Sequence, residues 1–194
     1  MSFLDNTRNF GILALIVSAM QIVGAVMFFL NEDVDQIWRI IGGVGGILAA
    51  IVMLAASFAI FSGNIPSFVE RLFPEGATSK FGVLTGYTSA VGMASIIGLG
   101  SSVADIVFGL IIGIIILAIV WILTNDRKGI VEKILWVVLV IVYFLGIVNG
   151  IAIIIETADS TNAFTIVSGV CLCLMYLLAF LYLFDSDVKK KFGM

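Results

Sequence analysis

FGVLTGYTSAVGMASIIG, residues 81–98, carries four glycines and five hydroxyl side chains in a chain that is 61% hydrophobic. Positions 82, 86, 90, 94 and 98 are Gly82, Gly86, Ala90, Ala94 and Gly98, so every fourth residue is small. A helix stacks residues four apart on one face. Small side chains on that face let another backbone approach and gain van der Waals contact that lipid does not offer. The stretch is therefore expected to be a helix buried against protein. Gly42 with Gly46, Gly109 with Gly113, and Gly146 with Gly150 repeat the spacing and point to a compact bundle.

The surrounding chain places this helix in a membrane. Its 194 residues are 12% charged and include two prolines, and the mean hydropathy is +1.22. That is too much apolar surface for one soluble core. Six charge-poor blocks, 10–30, 37–61, 81–100, 103–124, 131–155 and 163–184, each approach or exceed the roughly 20 residues that cross about 30 Å of hydrocarbon. None alternates as a strand would, so helices rather than a barrel must satisfy the backbone. The expected fold is an all-α integral membrane protein. It forms one domain over residues 1–194, with six transmembrane helices as three consecutive hairpins. The first block reads as a span and not a signal peptide, because MSFLDNTRNF has no net positive head.

The long connection contains IPSFVERLFPEG, residues 65–76. Pro66 suits a first helical turn and Pro74 stops it, while Phe68, Val69, Leu72 and Phe73 share a face. This pattern predicts a short interfacial helix over about 65–73 on the cytoplasmic surface.

Basic residues orient the spans. Arg8, Arg71, Lys80, Arg127, Lys128, Lys133, Lys189, Lys190 and Lys191 fall on one side and Arg39 alone near the other. Both termini are then expected in the cytoplasm, with the chain in the plasma membrane. The basic C-terminal end adds attraction to anionic membrane lipid. The outer loops carry Glu32, Asp33, Asp35, Asp105, Glu156 and Asp159. These carboxylates read either as a solvated, capping rim or as a cation-attracting vestibule. Asp105 follows Ser102 at capping-box spacing, whereas Glu156 sits at a helix C-terminus, where the dipole opposes it. Glu32, Asp33, Asp35 and Glu156 are the candidate outer cation-facing groups.

The first two hairpins look related. FGILALIVSA at 10–19 and FGVLTGYTSA at 81–90 share Phe, Gly, Leu, Ser and Ala in register. Gly42 and Gly46 correspond to Gly109 and Gly113 at an offset four residues shorter.

Few polar groups remain inside the spans. Ser and Thr can return hydrogen bonds to the preceding turn. Gln21, Tyr87 and Asn149 are costlier, since an unsatisfied amide in hydrocarbon costs several kcal/mol. With Thr88 they are read either as interhelical clamps or as the wall of a solute path. There is no histidine, and no Asp, Glu, Lys or Arg lies mid-span, which disfavours a proton-coupled pump. Cys171 and Cys173 are two apart on a helix and diverge, so they suit neither one metal nor a relaxed disulfide. GGVGG at 42–46 precedes no Lys-Ser/Thr pair and is not a phosphate loop. No basic patch with aromatics suggests nucleic acid. No enzyme, cofactor or metal site is expected. The favoured reading is a non-catalytic membrane scaffold or accessory subunit, packing against itself as a homo-oligomer or against a membrane-protein partner. The alternative is a small channel or facilitator for a cation or uncharged solute.

Overall fold

A computed structural model describes residues 6–98, 100–125, 129–157 and 163–194. Arg127, Lys128 and Asp159, which entered the charge argument, lie outside the described residues. The described residues contain seven α-helices and no strand: α1 Thr7–Leu30, α2 Gln36–Ser62, α3 Lys80–Ile97, α4 Val103–Thr124, α5 Ile130–Thr157, α6 Ala163–Leu183 and α7 Ser186–Lys191. The first six follow the six apolar blocks to within a few residues. Local chemistry sets their ends. Asn6, Asp35, Ser79 and Ser102 each accept a backbone N–H at a helix start. Gly63 closes α2 at φ 72, a left-handed conformation that disfavours a Cβ.

Five of these helices, α1, α2, α4, α5 and α6, are long and apolar enough to cross a membrane. The chain is thus all-helical and has the make-up of a membrane protein. Helix α3, the stretch quoted at the outset, is not among the five. Its glycines and hydroxyls lower its affinity for hydrocarbon, and its surroundings explain why that is tolerated. Ten of its residues, from Phe81 to Gly92, are buried, whereas α4 buries only Gly113, Val120 and Leu123. Helix α3 packs against α2, α4 and α6, so its environment is largely protein.

Neighbouring helices meet at glycines. Along α1 and α2, a side chain at Gly11 would run into the Phe61 backbone, one at Gly43 into Phe29, and one at Gly46 into Ala25. Gly92 and Gly113 face each other's carbonyls across α3 and α4, and Gly109 faces the Ser95 carbonyl. Gly146 lies under the Tyr176 ring, and Gly150 lies against Cys173. Gly46 meets Ala25 while Gly113 meets Ile96, and these positions correspond at the offsets of the internal repeat. Ser18 and Ser89, also equivalent, both donate to the carbonyl four residues back.

The five-residue stripe on α3 has a different fate from the one its spacing suggests. It does not receive one neighbouring helix. Gly82 is crowded by the Gly76 and Glu75 carbonyls and by Ser79, its own N-cap. Gly86 faces the ring of Phe73, Ala90 is fully buried, Ala94 is half-buried, and Gly98 faces the Ala94 carbonyl and the Ala49 side chain. The helix-contacting glycine of α3 is Gly92, which lies off the stripe.

The connection after α2 also differs from expectation. In place of a helix over 65–73 it forms a turn followed by a 3-10 helix, Glu70–Leu72. Its apolar residues do not all lie on one surface. Val69 and Phe73 are buried in the bundle at 1% and 4% exposure, while Phe68 is exposed. The Phe73 ring fills the space left by Gly86, and burying it draws this segment into the bundle rather than along a surface.

The core gathers at the basic end, where α1, α3 and α5 begin and α2, α4 and α6 finish. Phe10 packs edge-on against Tyr87 at 5.1 Å and beside Tyr182 at 6.3 Å. Helix α7 folds back over this end and buries Val188 and Phe192. Lys80 pairs with Asp185 and Lys191 with Glu75 at 2.9 Å, and Lys189 lies over the Phe184 ring at 5.3 Å. The basic tail residues therefore have partners within the chain. Beyond Ser18, by contrast, α1 buries no residue.

Candidate functional site

The packing imbalance leaves a cleft of about 390 Å³ between α1, α2, α3 and α6. Its floor is small: Ala25, Gly46, Ala49, Ala50 and Ala94. Its polar groups are Gln21, Tyr87, Ser95 and Tyr176, and no charged residue lines it. Ser95 already donates to the Val91 carbonyl at 2.9 Å.

Tyr87 is the pivot of this region. It is 3% exposed, fixed edge-on by Phe10, and stands with Tyr176 in the wall between the cleft and a second void of about 80 Å³. Thr88 and Tyr143 line that second void. Thr88 donates to the Leu84 carbonyl at 2.6 Å, which uses its only proton. The 2.7 Å contact with Tyr143 is therefore a hydrogen bond donated by Tyr143. Gln21 and the Tyr87 hydroxyl have no hydrogen-bond partner among the described residues.

Of the four residues read as clamp or path, the structure brings Gln21 and Tyr87 to one cleft and places Thr88 behind it. Asn149 is exposed on α5 and lines neither space. Glu32, Asp33 and Glu156 are exposed, Asp35 caps α2 through Ile37, and none of the four lines the cleft. Asp105 accepts from the Ser101 and Ser102 hydroxyls at 3.0 and 2.8 Å, while Ser102 caps the helix through the Asp105 N–H. This is a reciprocal cap, the Ser102 hydroxyl accepting from the Asp105 N–H and donating to the Asp105 carboxylate.

Several contributors were not visible in the sequence. Tyr143 and Tyr176 stand in uniformly apolar runs, and only the fact that all four tyrosines fall in helical blocks hinted at a cluster. Ser18 and Ser57 meet at 3.1 Å in the α1–α2 contact, fully buried, and no spacing in the sequence pairs them. Glu132 is buried, with one oxygen accepting from the Gly129 N–H and the other without a partner among the described residues.

The described residues define a helical protein with five helices suited to a membrane and an uncharged, mid-helix cleft. Compared with protein families, curated proteins and solved structures, the chain matches none.

Proposed function

We propose that the chain is a non-catalytic membrane scaffold or accessory subunit that crosses the plasma membrane six times as three hairpins, with both termini in the cytoplasm. Helix α3 is the sixth crossing and the one surrounded by protein. The carrying observation is the destination of the small residues. Gly11, Gly43, Gly46, Gly92, Gly113, Gly146 and Gly150 all meet neighbouring helices of the same chain, a pattern suited to a rigid packing unit. The outward surface of α4 and α5 is largely apolar, with Phe108, Ile114, Phe144 and Ile155 well exposed and Asn149 a polar exception on α5. Membrane lipid and a second membrane-embedded chain, either another copy or a different protein, both suit such a surface.

Purification in mild detergent tests this reading. Recovery of a stoichiometric membrane partner or a defined homo-oligomer, with no solute flux in reconstituted vesicles, is the expected result. A lone monomer that raises cation or neutral-solute flux above empty liposomes would favour the channel alternative. That alternative is supported less well, because only Gln21 and Tyr87 of its proposed wall share the cleft.

A further inference from the structure

The cleft holds more hydrogen-bonding capacity than the protein uses. A phenol at 3% exposure with an unpartnered hydroxyl, Tyr87, is costly in an apolar setting unless something completes it. Gln21, an exposed residue at the rim of the same space, brings a second uncompleted group to it, and Tyr176 also lines it. Small residues keep the floor open where larger ones would have filled it. We propose that the cleft binds one neutral, membrane-dissolved molecule through a carbonyl oxygen, with the Tyr87 hydroxyl and the Gln21 side-chain amide as donors.

Three features define the ligand class. The lining has no charge, so nothing matches an anionic or cationic headgroup. Both unsatisfied groups can donate, a phenol O–H and an amide N–H, so one carbonyl oxygen can accept from both. The volume, about 390 Å³, falls within the roughly 300–1,000 Å³ of small-molecule sites. Depth restricts the source further. Gln21 is the fifteenth residue of the 24-residue α1, about 20 Å from one helix end and about 13 Å from the other at 1.5 Å per residue. A charged headgroup would hold a phospholipid ester nearer the surface. The carbonyl at this depth belongs to a molecule free of such an anchor, either the ring ketone of a quinone or the ester of a neutral glycerolipid.

The full-length protein in detergent, titrated separately with decylubiquinone and with dioctanoylglycerol and read by native mass spectrometry, tests the proposal. Saturation at one molecule per chain by at least one probe is expected, and the probe that binds identifies the source of the carbonyl. Tyr87→Phe keeps the ring against Phe10, and Gln21→Leu keeps the helix. Each should weaken that binding roughly five- to tenfold, as loss of one hydrogen bond does, while Asn149→Leu should leave it unchanged. No saturable binding of either probe overturns the proposal. So does binding that Tyr87→Phe and Gln21→Leu leave intact.

Discussion

The ring of Phe73 occupies the space that a side chain on Gly86 would need. A loop residue, rather than a neighbouring helix, thus fills the centre of the small-residue stripe on α3. The two should be energetically coupled. Gly86→Ala is expected to destabilise the wild-type chain by ~1 to 3 kcal/mol through overpacking, and to cost clearly less in a Phe73→Ala background. Thermal unfolding of the two single variants and the double variant in detergent checks this. Additive effects would show that the two positions do not share space.

Gly92 is the α3 glycine that meets another helix, beside Ile116, Leu117 and the Gly113 carbonyl. Gly92→Leu should therefore lower thermal stability far more than Ile111→Leu, a near-isosteric change at an exposed position of α4. Equal melting temperatures would contradict the close contact of α3 with α4.

Acid should loosen the basic end. The hydrogen bond from Lys80, 2.5 Å long, holds the Asp185 carboxyl below its ordinary value of 3.8. A carboxylate whose pKa falls on folding stabilises the fold above its unfolded pKa and loses that contribution as pH drops through the folded value. Both side chains are about a quarter exposed, so the contribution is roughly 1 kcal/mol or less. Asp185→Asn should be slightly less stable than wild type at pH 7, and the difference should begin to shrink near about pH 4 and fade as pH falls on through the lowered folded value. Melting curves from pH 7 to pH 3 give the comparison. A constant difference across that range would remove the ion pair from the explanation.

Tyr143→Phe removes the proton donated to Thr88 and leaves the Thr88–Leu84 bond in place. The expected loss is about 0.6 to 1.5 kcal/mol, read as a lower unfolding midpoint with unchanged helical content. An unchanged midpoint would mean that this bond between α3 and α5 adds nothing to stability.

Helix positions were readable from the sequence because charges are absent from six long apolar blocks, and a capping pattern such as Ser102 with Asp105 marks where one of them starts. Which element fills a given face was not. Four-residue spacing identifies a small face on α3 but carries no information about its occupant, and the occupants proved to be a loop backbone at Gly82 and an aromatic ring at Gly86. The same limit explains Asn149. A mid-block amide needs a polar neighbour or water, yet nothing in the local sequence says which way its helix is turned. Gln21 and Tyr87 share the cleft because α1 and α3 both border it, a fact of tertiary packing. Phe68 and Phe73 look alike within IPSFVERLFPEG, and only the space at Gly86 separates the buried ring from the exposed one.

Helix α3 is the least lipid-like of the six long helices and the most deeply buried, so whether it crosses the membrane tests the proposed architecture most directly. Single cysteines at Asp33, Ser101, Asn64 and Lys190, in a chain with Cys171 and Cys173 replaced by alanine, can be probed with an impermeant thiol reagent on intact cells. Labelling of the Asp33 and Ser101 positions from outside is expected, with the Asn64 and Lys190 positions reacting only after permeabilisation. If the Ser101 position labels from the same side as Asn64, α3 does not cross and the six-span architecture is wrong.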